Sequence, residues 1–198
     1  MKILLNGRRG KVGTVLAPAL EAAGHTLVDS LDAADAMVDF TRPDAVVANV
    51  QAAVAAGVPS VVGTTGWDPS ELENASVPIF YAPNFSIGAV LMMRFAAEAL
   101  RYLERGEIIE LHHATKIDAP SGTAKLTAER MGGDVPIHSV RLPGLLAHQE
   151  VLIGGPGEVL TLRHDATSRA AYAPGVLLAL EKLSELPAGV TVGLDALL

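Results

Sequence analysis

The first 85 residues alternate between short apolar runs and segments with helical spacing. Residues 11–24 place Val12, Leu16 and Leu20 among other apolar residues on one helical face, and Gly24 is a natural helix end. A second helix is predicted over 42–57, which begins near a proline and ends at a glycine. Apolar runs between and around these helices predict strands at 2–6, 25–32, 35–40, 58–66 and 77–84. Such alternation indicates an α/β fold with a doubly wound parallel sheet that helices cover on both faces.

The pattern changes after residue 85. One long helix is predicted over 85–104, and a mostly helical segment over 169–186. Between them lie strand patterns at 106–114 and 135–143, and two strands within 148–164 joined by a Gly-Gly-Pro-Gly turn. This pattern predicts a smaller α+β domain with a mixed or antiparallel sheet. We therefore divide the chain into a first domain, 1–85 with 170–198, and a second domain, 86–169.

Composition narrows the functional classes. Hydrophobic residues make up 49% of the 198 residues and aromatic residues only 4%, so Ala, Val and Leu must build the core. The net charge of −7 and the lack of a basic run longer than GRRGK argue against a nucleic-acid partner. The chain has no cysteine, and its histidines and aspartates lack the spacing of a metal site. No membrane span or signal segment is expected, which favours a cytoplasmic protein.

A glycine-rich loop, GRRGKVG, joins the first predicted strand to the first helix. Gly7, Gly10 and Gly13 stand where a Rossmann-like fold binds the pyrophosphate of a dinucleotide at a helix N-terminus. The spacing differs from the common G-x-G-x-x-G because Arg9 occupies the position of the second glycine. The same loop also suits a tight strand-to-helix turn without a ligand, so both interpretations stay open.

A carboxylate near the end of the second strand is a candidate ligand for the adenosine ribose. Asp32 lies 19 residues after Gly13, and Asp29 is an alternative; either could be an ordinary surface aspartate. Ala33 follows Asp32, so no arginine stands there to receive a 2′-phosphate, which favours NADH over NADPH. Arg8 or Arg9 could bind that phosphate instead. The segments GTTG (63–66) and APNFS (82–86) follow later strands and are expected at the same edge of the sheet.

The segment HHATKIDAPSGTA, residues 112–124, concentrates polar side chains. His112 and Lys116 would lie about 13 Å apart on an extended chain, so both reach one small substrate only if the chain bends near Ala114 or Thr115. The helix predicted over 122–131 adds backbone N–H groups near Gly122 and Thr123 that suit a carboxylate. A proton donor, a cation and a carboxylate site together imply a substrate with at least one carboxylate. A solvated strand end followed by a capped helix is the alternative.

These segments resemble the 4-hydroxy-tetrahydrodipicolinate reductase (dihydrodipicolinate reductase) family. ELHHATKIDAPSGTA is similar to the signature of that family, and GRRGKVG, VDFTRPDA, GTTGW and APNFSIGAVLM are similar to four further blocks in the same order. The region 138–175 is similar to its C-terminal block. The resemblance implies reduction of a cyclic dicarboxylate imine by NADH or NADPH in lysine and diaminopimelate biosynthesis. It also implies a cytoplasmic homotetramer that assembles through the second domain, with no nucleic acid and no membrane as partners.

The same resemblance assigns roles to individual residues. It implies that His112 is the proton donor, that Lys116 is the second catalytic residue, and that His113, Gly122 and Thr123 bind the substrate. From the residues alone, Lys116 could either neutralise a substrate carboxylate or help to deliver the proton. Cofactor contacts are implied at Gly7, Arg8, Arg9, Gly10, Lys11, Val12, Asp32, Gly63, Thr64, Thr65, Ala82, Pro83, Asn84 and Phe85.

The short N-terminal domain makes the cofactor contacts the part of the resemblance that departs most from the family, and two alternatives to the reductase stay open. Only Ala33 and Ala34 separate Asp32 from the next predicted strand, whereas members of the family have longer N-terminal domains. A nucleotide-binding sensor that has lost turnover is one alternative, although the intact HHATK segment argues against it. A reductase of the same fold that acts on a different imine or keto acid is another.

Overall fold

A computed structural model describes residues 1–198 as two compact units. Unit 1 comprises Met1–Ile87 and Arg169–Leu198, and unit 2 comprises Gly88–Ser168. The strands are β1 (Lys2–Asn6), β2 (Thr26–Val28), β3 (Ala36–Asp39), β4 (Ser60–Val62), β5 (Pro78–Tyr81), β6 (Arg105–His112), β7 (Ile137–Arg141), β8 (Ala147–Gly155), β9 (Glu158–Ala166) and β10 (Gly189–Val192). The α-helices are α1 (Gly13–Ala22), α2 (Pro43–Ala55), α3 (Ile87–Ala99), α4 (Gly122–Arg130) and α5 (Ala173–Lys182).

Unit 1 is built on a six-stranded parallel sheet in the order β10-β5-β4-β3-β1-β2. Helix α2 packs over one face, where Met37, Val62 and Ile79 join its buried residues Val46 and Val50 in one cluster. Helices α1 and α5 contact each other, and α5 also contacts β4. The doubly wound, Rossmann-like sheet predicted from the alternation of the sequence is confirmed.

Unit 2 contains a four-stranded mixed sheet in the order β7-β6-β8-β9. Strands β6, β8 and β9 are antiparallel, whereas β7 runs parallel to β6. On β6 and β8, residues with inward and outward side chains alternate: Ile108, Glu110, Val151 and Ile153 are buried, and their neighbours are more exposed. The Gly-Gly-Pro-Gly segment forms the turn between β8 and β9, as predicted.

Several predicted element boundaries are wrong. The predicted strand 25–32 ends at Val28, because β3 pairs with the opposite edge of β1 and the chain must cross β1 between them. Helix α3 ends at Ala99 rather than at 104, since Glu104 donates its N–H to the carbonyl of Gly154 as the chain enters β6. Pro174 lies in the first turn of α5. Strand β10 was not predicted; it adds to the sheet beside β5.

Candidate active site

The glycine loop of unit 1 folds tightly between β1 and α1. Gly7 has a φ of +80°, and a Cβ built there would lie only 2.2 Å from the carbonyl oxygen of Phe40. A Cβ on Gly13 would lie 2.1 Å from the carbonyl oxygen of Gly7, and Gly10 donates its N–H to the same oxygen at 2.8 Å. Gly7 and Gly13 are therefore required by close backbone packing, whether or not the loop binds a ligand.

A cavity of about 400 Å³ opens in unit 1 where β1, β3 and β4 end. Its lining includes six of the predicted residues: Gly10, Lys11, Val12, Gly63, Thr64 and Thr65. Phe40, Thr41 and Pro43 complete the lining and were not predicted as site residues from the sequence. The edge of the sheet at which they lie could have been inferred from the sequence, because they follow a predicted parallel strand and such sheets bind ligands at the ends of their strands.

The other predicted cofactor residues lie outside the lining of this cavity. Gly7, Arg8 and Arg9 belong to the loop before Gly10, and Arg8 pairs with Glu21 at 3.6 Å. Asp32 is exposed and lies in a 3-10 helix, Leu31–Ala33, and not at the end of the second strand as predicted. That prediction is wrong because β2 ends at Val28, so Asp29 is the acidic residue that directly follows the strand.

The predicted residues after β5 are mostly supporting residues. Ala82 and Phe85 are buried, and the ring of Phe85 packs against those of Phe40 and Phe80 at centroid distances of 5.6 and 5.9 Å. Pro83 is exposed, and the side chain of Asn84 accepts a hydrogen bond from Ser86 N–H at 2.9 Å. Phe85 therefore does not line the cavity itself; it packs against Phe40, which does.

A buried carboxylate, Asp39, holds the walls of this cavity. Its Oδ1 accepts hydrogen bonds from the Thr41 N–H at 3.1 Å, from the Thr41 hydroxyl at 2.7 Å and from the Thr64 hydroxyl at 2.6 Å. Its Oδ2 accepts from the amides of Asn49, at 2.8 Å, and of Asn6, at 3.5 Å. Asp39 therefore connects the ends of β1, β3 and β4 with helix α2.

In unit 2, His112 is the last residue of β6, and Glu110 precedes it on the same face of the strand. Glu110 is fully buried, and its Oε2 contacts His112 Nδ1. The guanidinium of Arg141, from β7, donates to both oxygens of Glu110, at 2.7 and 3.0 Å. The Ser121 N–H donates to Oε1 at 3.3 Å. The alternation of side chains along the strand predicted Glu110 on the same face as His112, but neither Glu110 nor Arg141 was predicted as a site residue.

The chain turns directly after β6. Residues 114 and 115 form the turn, and Lys116 donates its N–H to the carbonyl of His113 at 3.1 Å. The Lys116 ammonium contacts both carboxylate oxygens of Asp118, at 2.7 and 2.8 Å, while the Thr115 hydroxyl lies 2.8 Å from His113 Nδ1. The bend that the spacing of His112 and Lys116 requires is thus present.

Helix α4 begins beyond this turn. The Ser121 hydroxyl caps it by accepting the Ala124 N–H at 3.2 Å. Gly122 and Thr123 occupy the first turn, where backbone N–H groups have no partner within the helix and the dipole favours an anion. No atom lies within 4 Å of a Cβ built on Gly122, so a ligand has room to approach the backbone there.

Glu110, His112, Lys116, Asp118 and Arg141 form one cluster, and burial and pairing determine the pKa shifts of its members. Burial alone would raise the pKa of Glu110, but hydrogen bonds from Arg141, Ser139 and His112 outweigh it and keep that pKa below the ordinary value. Burial lowers the pKa of His112; Glu110 opposes this effect, and the charges of Lys116 and Arg141 add to it. The hydrogen bond from Lys116 lowers the pKa of Asp118.

The cluster is not arranged as a metal site. No group of three or more histidine, aspartate or glutamate side chains could hold a metal ion.

Among the helices, none combines the length and the apolar character that crossing a bilayer requires.

Two family models match the chain: "Dihydrodipicolinate reductase, C-terminus" over residues 88–198 and "Dihydrodipicolinate reductase, N-terminus" over residues 23–85. The chain belongs to the dihydrodipicolinate reductase family. It is thus an oxidoreductase of this family with a Rossmann-like fold, and the resemblance found in the sequence is confirmed.

Relatives named 4-hydroxy-tetrahydrodipicolinate reductase support the same assignment. That of Desulfitobacterium hafniense (strain DSM 10664 / DCB-2) is 48% identical over 194 residues, which cover 82% of this chain and 72% of the relative. That of Mycolicibacterium smegmatis is 44% identical over 243 aligned positions, which cover 100% of this chain and 99% of the relative. Because this chain has only 198 residues, it lacks internal segments that the second relative has.

Solved structures give the same picture at the level of the fold. A dipicolinate-bound dihydrodipicolinate reductase from Paenisporosarcina sp. TG-14 has a TM-score of 0.85 at 30% identity and covers 100% of this chain. That comparison also covers 99% of the dihydrodipicolinate reductase chain. A probable dehydrogenase from Thermotoga maritima, at 12% identity and a TM-score of 0.71, shares the fold; it covers 100% of this chain and 92% of its own.

Proposed function

We propose that this protein reduces 4-hydroxy-tetrahydrodipicolinate to tetrahydrodipicolinate with NADH or NADPH, a step of lysine and diaminopimelate biosynthesis. The observation that carries the proposal is the cluster of His112, Lys116 and the first turn of α4, which unit 2 of this family member brings together after β6. A proton donor, a cation and a carboxylate site are the groups that reduction of a dicarboxylate imine needs.

Each residue of the cluster has a role in this proposal. His112 gives a proton to the reduced substrate, and histidine is suited to this because its pKa lies near the working pH. Lys116 exchanges its contact with Asp118 for a substrate carboxylate. His113 and the backbone N–H groups of Gly122 and Thr123 bind the carboxylates.

The residues of the unit 1 cavity fit a dinucleotide. Glycine backbone, the start of α1 and the Lys11 ammonium surround it, a combination that suits pyrophosphate. Lys11, Val12, Thr64 and Thr65 would hold the cofactor there, and a bound NADH or NADPH supplies the hydride. NADH is the favoured cofactor, because no arginine follows Asp29 or Asp32 to receive a 2′-phosphate.

Oxidation of NADH or NADPH by freshly prepared substrate tests the function. Turnover that pyridine-2,6-dicarboxylate inhibits competitively supports the proposal, because this planar diacid imitates the substrate. Folded protein that binds NADH without oxidising it would instead be a nucleotide sensor. Turnover with another imine or keto acid, insensitive to the diacid, would indicate a reductase of different specificity. The ratio of kcat/KM with the two cofactors measures the preference for NADH.

The pH dependence of the rate should report His112. The donor must be charged, and burial lowers its pKa below the ordinary 6.5 in the free protein. We therefore expect kcat/KM to fall as the pH rises, with a midpoint below that value. The negative charge of a bound diacid favours the imidazolium, so the midpoint for kcat should lie at higher pH. A kcat/KM that stays constant between about pH 5.5 and 7.5 would contradict this assignment.

Replacing Asp39 with alanine should damage unit 1. The Thr41 N–H and the hydroxyls of Thr41 and Thr64 lose their shared acceptor, which should lower the free energy of unfolding by about 2–3 kcal/mol. Because Thr41 and Thr64 line the cavity, the Kd for NADH should also rise. Denaturant unfolding and fluorescence titration measure the two effects. Asp44→Ala, which removes an exposed pair with Arg42, is the control, and equal stability of the two variants would refute the prediction.

We also propose a cytoplasmic homotetramer that assembles through the sheet of unit 2. Alternation places Ile109, Leu111, Val140 and Leu152 on the face opposite the buried Ile108 and Val151, and all four are partly exposed in the single chain. The same face carries the Glu150–Arg163 pair, and apolar side chains bordered by polar ones are typical of a protein interface. Light scattering that gives the mass of a single chain would exclude the tetramer.

A further inference from the structure

Glu110 is a buried carboxylate beside the proposed proton donor. It lies two residues before His112 on β6, its side chain has no exposed surface, and its Oε2 contacts His112 Nδ1. The side chain of His112 is 14% exposed, so one edge of its ring is held by the protein and little of the rest reaches solvent. The imidazole is thus oriented through Nδ1.

The charge of Glu110 is compensated from two other directions. Arg141 donates to both carboxylate oxygens, and the Ser121 N–H donates to Oε1. Arg141 is itself fixed, since its Nη2 also donates to the carbonyl of Asp118 at 2.8 Å. A buried carboxylate held by a two-pronged guanidinium contact stays ionised and rigid. An ionised Glu110 can only accept, and therefore His112 must carry a proton on Nδ1.

This arrangement decides which nitrogen of His112 can transfer a proton. With Nδ1–H bonded to Glu110, the mobile proton of the imidazolium is on Nε2. When it leaves, the neutral ring keeps its Nδ1–H on Glu110, so neither the tautomer nor the orientation changes during the transfer. Of the four charged groups around the ring, Glu110 and Asp118 favour the imidazolium, and Arg141 and Lys116 disfavour it.

We propose that Glu110, held by Arg141, is the positioning residue for His112: it fixes the Nδ1–H tautomer and leaves Nε2 as the only position from which the proton is given. This inference rests on the proposed function, in which His112 is the donor. Glu110 itself does not contact the substrate. The alternative is that Glu110 only ties β6 to β7 and to the start of α4.

Glu110→Gln is the decisive variant, because it keeps the size of the side chain and removes its charge. The glutamine oxygen will take the place of Oε1, where Arg141 and the Ser121 N–H both donate. The amide NH₂ then takes the place of Oε2, faces His112 Nδ1 and donates to it, which forces the neutral ring into the Nε2–H tautomer. Arg141 Nη1 loses its bond to Oε2 and keeps its bond to the Val140 carbonyl. Glu110→Asp keeps the charge but withdraws it by one methylene.

Glu107→Gln is the matched control. Glu107 lies on the same strand and also contacts a histidine, His138, at 2.9 Å, but the side chains of Glu107 and His138 are 41% and 57% exposed. It therefore undergoes the same chemical change away from the cluster. Circular dichroism and light scattering establish that each variant is folded and assembled like the parent.

We expect Glu110→Gln to lower kcat by about 10²-fold and to change KM by less than about threefold, because the substrate-binding groups are untouched. Glu110→Asp should give an intermediate kcat, and Glu107→Gln the kcat of the parent. NMR of ¹³C- and ¹⁵N-labelled histidine, with the His112 signals assigned by their loss in His112→Ala, should show the Nδ1–H tautomer in the parent. It should show the Nε2–H tautomer and titration at lower pH in Glu110→Gln.

A folded Glu110→Gln with parental kcat and an unchanged His112 tautomer would overturn the proposal and leave Glu110 a structural role alone. If Glu110→Gln does not fold, Glu110→Asp decides by the same two measurements, and parental kcat in it overturns the proposal. The NMR measurement needs no substrate. A parent protein that fails to turn over the substrate but shows the predicted tautomer change would refute the proposed function and not the positioning.

Discussion

Replacing His112 with alanine lowers kcat by about 10²-fold or more, the usual effect of losing a general acid. The reason is geometric, because no other titratable group shares its position at the end of β6: Lys116 is paired with Asp118, and Arg141 does not release a proton near neutral pH. Steady-state oxidation of NADH at saturating substrate measures the loss. In this scheme the substrate is bound by Lys116, by His113 and by the start of α4, and not by His112, so KM should change much less than kcat.

His138→Ala is the control for this variant. His138 is also a histidine of the unit 2 sheet with a glutamate partner, but its side chain is 57% exposed and lies on β7. We expect it to keep the parental kcat. A His112→Ala protein that is folded and turns over at the parental rate would remove His112 from the reaction, and the proton would then have to come from water or from Lys116.

Replacing Gly7 with alanine should have the largest effect on stability. The positive φ is unfavourable for alanine by about 1–2 kcal/mol, and the overlap of its Cβ with the Phe40 carbonyl adds about 1–3 kcal/mol. Together these should lower Tm by about 5–15 °C. Because Gly10 hydrogen-bonds to the Gly7 carbonyl, the displaced loop should also bind NADH about tenfold more weakly.

Differential scanning calorimetry and fluorescence titration test both parts of this expectation. Gly154→Ala is the control, because Gly154 has an ordinary φ and a Cβ there meets nothing within 4 Å. A Gly7→Ala protein with the Tm of the control would show that the loop relaxes at little cost. Normal stability with weakened NADH binding would place the role of Gly7 in the cofactor site alone.

Local patterns in the sequence predicted the fold well where one strand or helix carries its own signal. The alternation of apolar and helical segments gave the parallel sheet, and the Gly-Gly-Pro-Gly turn gave the β8–β9 hairpin. Strand β10 was missed because its four residues, GVTV, form a very short pattern near the C-terminus, and pairing with β5 makes them a strand. The end of β2 at Val28 depends on where β3 pairs, which no local pattern contains.

The candidate site divides in the same way. His112, Lys116 and the start of α4 were recognisable because they are close in sequence and their residue types suggest chemistry. Arg141 comes from β7, and only the parallel pairing of β6 with β7 brings it to Glu110. Phe40 and Thr41 follow a predicted parallel strand, so their edge of the sheet could be inferred, but their place beside the glycine loop depends on β3 ending next to β1 and β4. Contacts between residues distant in sequence were thus the part that sequence patterns could not supply.

Strand β10 has a consequence for how the chain is made. It forms one edge of the unit 1 sheet, and Leu194 and Leu197 just after it are buried. During synthesis, every residue of unit 2 is polymerised before this strand exists. A chain that ends before β10 leaves the edge of β5 open, and an unpaired strand edge invites aggregation. Residues 189–198 therefore cover the edge of β5 and protect it from pairing with other chains.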